Sequence, residues 1–94
     1  MKQLTQEQAI AFSNSCAWQQ MTDTERALLQ INQDRLCMPF DVFQESVENT
    51  VGRPVWTHEF GIREAVEQLR IEIESKAGPS MMEHIIGLLP SNKE

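Results

Sequence analysis

His58 and Glu59, adjacent in the middle of the chain, are the residues whose types could most readily support metal chemistry. A zinc site of the HExxH kind needs a second histidine four residues after the first, because both imidazoles must face one metal from the same side of a helix. Ile62 occupies that position, and the only other histidine is the distant His84. The spacing therefore predicts no metal site, and we expect His58 to stabilise the local backbone.

Other catalytic chemistry has equally little support. The chain has no GxSxG nucleophile elbow and no glycine-rich phosphate loop. A Cys37–His58 pair is conceivable in space, but no local signature supports it. Cys16 and Cys37 are the only cysteines, and their spacing fits neither a metal site nor a disulfide scaffold. We expect two reduced, mostly buried thiols and a protein that is not an enzyme and needs no cofactor.

The charge balance argues against direct binding to nucleic acid. The net charge is −6, and residues 41–94 carry ten acids against five bases. Neutralising phosphates supplies most of the affinity for nucleic acid, and the chain has no basic patch to do this. A helix-turn-helix placed on residues 22–51 would turn acids toward the phosphates. An acidic surface suits a basic protein partner, or serves only to keep the protein soluble.

The start of the chain and its short apolar runs lead us to expect a cytoplasmic protein. The start is polar and lacks the apolar core of a signal peptide. No apolar run approaches the roughly 20 residues that a membrane span needs.

The elements that must position these residues are predicted to be helices. The length supports one domain over residues 1–94, with a polar tail at 90–94. Capping boxes, in which a hydroxyl and a later acid or amide satisfy the first backbone N–H groups, mark helix starts. Three occur: Thr5 with Gln8, Thr22 with Glu25, and Ser80 with Glu83. We predict an all-α fold, a compact bundle of about five short helices with a non-helical elbow at residues 52–61.

Helical periodicity and the helix-ending residues set the expected boundaries. Gly52 is a natural left-handed terminator, and Gly78-Pro79 ends the next long helix. The five helices are expected at about Gln6 to Gln19, Asp23 to about Leu36, Pro39 to Val51, Ile62 to Lys76, and Met81 to Leu89. An α+β alternative stays open, because residues 55–57 could be extended and residues 69–74 also alternate with the period of a strand.

An acidic helix face is the first candidate binding surface. Asp41, Glu45 and Glu48 are separated by offsets of 4 and 7 and form one stripe, opposite the apolar face of the same helix. Such a face could dock on a basic, nucleic-acid-handling protein. Trp56 could add an aromatic anchor, although tryptophan in a small domain is often core. The partner-binding residues are predicted to be Asp41, Glu45, Glu48, Trp56, Glu64 and Glu67.

The terminal helix is the second candidate surface. Its apolar residues cover more than one stripe, so the helix lies either in the core or in an interface. Methionine-rich surfaces adapt readily to partners. As the alternative function, a homodimer or larger homo-oligomer would be built through Met81, Met82, Ile85, Ile86 and Leu89.

Two runs carry a resemblance: Arg35-Leu36-Cys37-Met38-Pro39-Phe40 and Gly52-Arg53-Pro54-Val55-Trp56-Thr57-His58-Glu59. Together they resemble small uncharacterised proteins of phage and prophage genomes, over the middle third of the chain. The resemblance brings no catalytic or binding residues with it. What it implies is a class of function: small accessory phage proteins bind and block host proteins, including defence nucleases, and anti-CRISPR proteins are among them.

Overall fold

The computed structural model describes residues 3–88, and within that range every regular element is helical. The α-helices are α1 (Gln6–Ser15), α2 (Asp23–Ile31), α3 (Phe40–Val51) and α4 (Arg63–Leu88), with 3₁₀ turns at Ala17–Gln20 and Thr57–Gly61. The all-α prediction is confirmed. The strand alternative is wrong, because residues 69–74 lie inside α4 and residues 55–57 join no sheet.

Two of the predicted capping boxes start the first two helices. The Thr5 Oγ1 accepts from the Gln8 N–H at 3.1 Å, and the Gln8 side chain accepts from the Thr5 N–H at 3.0 Å. In the same way, Thr22 Oγ1 accepts from the Glu25 N–H at 3.2 Å, and Glu25 Oε1 accepts from the Thr22 N–H at 2.7 Å. Each box satisfies two backbone donors that a helix start otherwise leaves unpaired.

The first two helices end earlier than predicted. Cys16 adopts a left-handed conformation with φ 58°, so α1 stops at Ser15 and a 3₁₀ turn replaces the expected last turn to Gln19. The Asn32 side chain donates to the Leu28 carbonyl at 2.9 Å, which competes with continued backbone pairing at the end of α2. Leu36 consequently lies outside the helix and is exposed.

The predicted fourth and fifth helices are joined as one element, α4, so the described residues hold four helical elements rather than about five, but the break predicted at Gly78-Pro79 is present as a kink between two helical stretches. Inside α4 the backbone leaves helical geometry at Gly78, with φ 80° and ψ 166°, a region open essentially to glycine alone. Pro79 follows and removes a backbone donor. Ser80 lies within this element. Leu89 and the tail at 90–94 lie outside the described residues.

The core forms where α2 packs against both α3 and α4. The largest fully buried apolar side chains come from all three helices and from the connections between them: Leu28, Leu29, Met38, Val47, Val55, Leu69, Ile73 and Ile85. Burying each of these stabilises the fold by about 1.5–3 kcal/mol relative to exposure. No described helix contains an apolar stretch that could span a bilayer.

Three phenylalanines pack α3 against the second 3₁₀ turn. The ring centroids of Phe40 and Phe43 lie 5.3 and 5.1 Å from that of Phe60, which belongs to the second 3₁₀ turn. These edge-on and tilted contacts are preferred arrangements for aromatic pairs. The elbow is therefore packed against α3 from one side.

Arg26 ties the first 3₁₀ turn to α2 and α3. Its guanidinium donates to the Trp18 carbonyl at 3.0 Å, to the Met21 carbonyl, to Ser46 Oγ at 2.8 Å and to Asp23 Oδ1 at 2.6 Å. A planar fork of donors can satisfy several acceptors from different segments at once. This one side chain thus fixes the path of the chain between α1 and α2.

Candidate functional site

The elbow begins where α3 ends, and the end is the one predicted. Gly52 is left-handed with φ 78°, and its N–H donates to the Glu48 carbonyl at 2.8 Å. Pro54 then prevents any return to the helix. The elbow is not wholly non-helical, however, because its second half is the 3₁₀ turn Thr57–Gly61.

Two side chains of α3 hold the backbone of Val55 from both directions. Gln44 Nε2 donates to the Val55 carbonyl at 2.8 Å, and Glu48 Oε2 accepts from the Val55 N–H at 2.9 Å. Gln44 and Glu48 are four residues apart and therefore neighbours on the helix surface. They supply the hydrogen bonds that a paired strand would otherwise give, while the Val55 side chain is buried in the core.

Trp56 follows this anchored residue and is 69% exposed. Its own N–H donates to Glu59 Oε2 at 2.9 Å, and the next residue, Thr57, donates from its hydroxyl to Gln44 Oε1 at 3.5 Å. The Trp56 carbonyl in turn accepts from the Glu59 N–H at 3.0 Å. Together with the bonds to Val55, these contacts hold the backbone on both sides of Trp56. An exposed tryptophan on a fixed backbone is a large apolar surface presented to the outside.

The structure divides the predicted acidic stripe of α3 into two parts. Asp41 and Glu45 are exposed, whereas Glu48 is half-buried and uses one carboxylate oxygen on Val55. Asp41 lies one helical turn from Gln44, the residue that contacts both neighbours of Trp56. The exposed acids of α3 thus border the elbow.

The acids predicted on α4 follow the elbow directly. Glu64 is exposed in the first turn of the helix. Glu67 is also exposed, but its Oε1 lies 2.5 Å from Arg70 Nη1, so part of its charge is compensated. The charge of Glu72 is compensated in the same way, because its Oε2 lies 2.7 Å from Nη2 of Arg53, a residue of the elbow.

His58 and Cys37 do not form the pair that was considered from the sequence, because one is exposed and the other is buried. His58 is exposed, and its side chain forms no hydrogen bond with the described residues. The expectation that it stabilises the elbow stays a prediction. Cys37 is fully buried, and desolvation raises the pKa of its thiol to about 11. Among residues 3–88, no group of three or more His, Cys, Asp or Glu is arranged to hold a metal ion.

The terminal part of α4 is more buried than a free interface would be. Ile85 lies fully inside the core of its own chain, and Met81 and Met82 are half-buried. Ile86 is 47% exposed. Leu89, the last residue of the predicted oligomer surface, lies outside the described residues.

Gln44 and Glu48 form a clamp, meaning a pair of contacts from a helix that holds the backbone of the following connection. The role of Gln44 in it was missed by reasoning from the sequence. The only signal for it is its spacing from Glu48 on a helix that precedes a proline-broken segment. Such spacing is common on helix surfaces, and the pairing with Val55 depends on how the elbow folds back.

The central part of the chain, including the elbow, matches a known protein family. The family described as a domain of unknown function (DUF7736) matches residues 24–75. The chain belongs to this family. The matched range takes in almost all of α2, all of α3, the elbow and the first half of α4, and it leaves out α1 and the end of α4. Searches of curated proteins and of solved structures found no match.

Proposed function

We propose that this member of the DUF7736 family is a non-enzymatic protein-binding module that contacts its partner through the elbow. The 69% exposure of Trp56, on a backbone held by hydrogen bonds on both sides, carries the proposal. Tryptophan is enriched among the residues that dominate binding energy at protein interfaces. A segment whose backbone is already held loses less conformational freedom on binding.

The charges around the elbow favour a partner with a basic surface. Asp41, Glu45 and Glu64 are exposed, and the chain as a whole carries a charge of −6. Opposite charges speed encounter and fix the orientation of the two surfaces. Proteins that handle nucleic acid present such basic surfaces. The resemblance to phage accessory proteins extends the proposal to an inhibitor or modulator of a host defence complex of the CRISPR type, acting in the cytoplasm.

Affinity capture followed by titration with the purified partner tests the proposal. Partners are captured from bacterial lysate on the full chain, identified by mass spectrometry, purified, and titrated against variants. We expect Trp56→Ala to weaken binding about tenfold or more, as loss of an interface anchor does. Ile71→Ala, which truncates another exposed apolar residue on α4, is the matched control and leaves the affinity unchanged.

The charge component is tested separately with Asp41→Lys and Glu45→Lys together. We expect a slower association rate and a weaker dependence on salt concentration. Glu48 is left intact, because its carboxylate supports the backbone of the elbow. If Trp56→Ala binds every captured partner as tightly as the unaltered chain, the elbow is not the binding surface.

Self-association through the end of α4 is the second candidate function. It rests on Ile86, which is 47% exposed beside the half-buried Met82. Light scattering over a range of micromolar concentrations tests it. A dimer that Ile86→Ser returns to monomer supports self-association, and a strict monomer rules it out in this range.

A further inference from the structure

An apolar groove separates α1 and the first 3₁₀ turn from the second half of α4. Its volume is about 430 Å³, and it is lined by Phe12, Ala17, Gln20, Met21, Glu25 and His84. A second depression of about 480 Å³ shares Glu25 and His84 with it and continues along α4 to Met81. Volumes of about 300–1,000 Å³ are typical of sites for small molecules.

One carboxyl side chain lies among these largely apolar walls. The Glu25 side chain is only 17% exposed; its Oε1 accepts from the Thr22 N–H at 2.7 Å, and its Oε2 lies 3.3 Å from His84 Nε2. Each carboxylate oxygen can accept two hydrogen bonds, so both retain an unused acceptor position. No lysine or arginine lines the groove.

The remaining groups allow a ligand to reach this carboxylate. The His84 side chain is 57% exposed, so it can turn toward solvent without disturbing the core. Met21 and Met81 are half-buried, and their flexible thioether chains can adjust to the shape of an apolar guest. The groove therefore combines an adaptable apolar surface with a single negative charge at its wall.

We propose that this groove binds a small molecule that carries one ammonium group on an apolar body. The apolar body packs against Phe12, Ala17 and Met21, and the ammonium group donates to the carboxylate of Glu25. The site is separate from the elbow and does not depend on the protein-binding function. Most of its lining lies outside residues 24–75, so it belongs to the segments that flank the family domain.

Titration of the ¹⁵N-labelled full chain with three probes of equal length tests the proposal: hexylamine, 1-hexanol and hexanoate. The readout is the backbone amide shifts of Ala17 and Met21. We expect hexylamine to bind most tightly, hexanol less tightly and hexanoate most weakly. A partly exposed ion pair contributes about 0.2–1 kcal/mol, which corresponds to a preference of up to about fivefold for the amine over the alcohol.

Glu25→Gln isolates the carboxylate without removing the helix cap, because glutamine also serves at this position of a capping box. We expect the affinity for hexylamine to fall to that of hexanol, with hexanol unchanged. Glu83→Gln is the matched control, because it removes the same charge beside His84 from a residue that does not line the groove. It leaves the preference for the amine intact.

Three results would overturn the proposal. The first is an absence of shifts at Ala17 and Met21 with hexylamine. The second is binding of hexanol or hexanoate as tight as that of hexylamine. The third is an equal loss of amine affinity in Glu83→Gln and Glu25→Gln, which would show attraction to the overall charge and not to this site.

Discussion

The two long connections of this fold are both held by helix side chains, but one buries its residues and the other exposes a tryptophan. In residues 32–39, between α2 and α3, and in the elbow, side chains from the preceding helix reach over and bond the backbone of the connection. The first connection turns Cys37 and Met38 into the core, while the elbow leaves Trp56 exposed. A connection whose backbone is held by side chains can thus either bury its residues in the core or expose a residue to a partner.

The clamp in the α2–α3 connection is the more buried of the two. Gln30 is 5% exposed; its Oε1 accepts from the Cys37 N–H at 2.8 Å, and its Nε2 donates to the Arg35 carbonyl at 2.9 Å. Gln3 makes two further hydrogen bonds to this connection: its Nε2 donates to the Asn32 carbonyl at 2.6 Å, and its Oε1 accepts from the Asp34 N–H at 2.7 Å. Because water cannot replace a buried partner, we expect this connection to be the more sensitive to mutation.

The largest expected effect is that of Gln30→Leu. The substitution preserves approximate size but leaves the Cys37 N–H and the Arg35 carbonyl without their partner, which costs about 3 kcal/mol. Urea unfolding measures the loss. Gln68→Leu, the same change at an exposed position of α4, is the control and shifts stability by no more than about 0.5 kcal/mol. A small effect of Gln30→Leu would mean that the two connections do not differ in the way described.

The next effect is a loss of stability at high pH through Cys37. Burial raises the pKa of this thiol from 9.0 to about 11, so the folded state resists ionisation that the unfolded state allows. The contribution is complete below pH 9 and disappears as the pH rises toward 11, a change of about 2 kcal/mol. Unfolding free energies measured across this range give the slope. Cys37→Ala should flatten it, and an unchanged slope in that variant would assign the loss to other groups.

A smaller effect is expected in the elbow from Glu48→Ala. This change removes the acceptor of the Val55 N–H, and because the contact is only half-buried, water replaces part of it. We expect a loss of about 1 kcal/mol in unfolding experiments, with roughly half of that in Glu48→Gln, whose amide oxygen can still accept. Equal losses in the two variants would show that the charge, and not the hydrogen bond, holds the elbow.

The smallest effect on stability is expected from Trp56→Ala. Because the indole is largely exposed, its removal should change the free energy of unfolding by no more than about 0.5 kcal/mol. Thermal or urea unfolding measures this, and the same variant serves in the binding experiment. A loss above about 2 kcal/mol would place the indole in the fold and not at an interface.

The starts of α1 and α2 and the end of α3 could be predicted from sequence because their causes are local. Thr5 and Thr22 need only a residue three positions later, and Gly52 needs only its own backbone freedom. The acidic stripe at Asp41 and Glu45 likewise follows from helical spacing.

The clamps could not be predicted, because their partners are set by tertiary folding. Gln30 stands among the apolar residues of α2, and nothing near it in sequence indicates that it bonds Cys37 seven residues later. The groove at Glu25 and His84 joins residues far apart in the chain. The groove forms only because the bend at Gly78 sets the direction of the last part of α4, which carries His84.

That bend also has a consequence for motion. In the part of α4 after Gly78, Ile85 is fully buried, Met81 and Met82 pack half-buried against the core, and His84 contacts Glu25 of α2. Local units with few buried contacts open independently of the rest of a protein. We expect amide hydrogens in residues 82–88 to exchange with solvent through such an opening, well before those of residues 66–75. The glycine would then act as a hinge between a slowly exchanging domain and a terminal helix that detaches and returns.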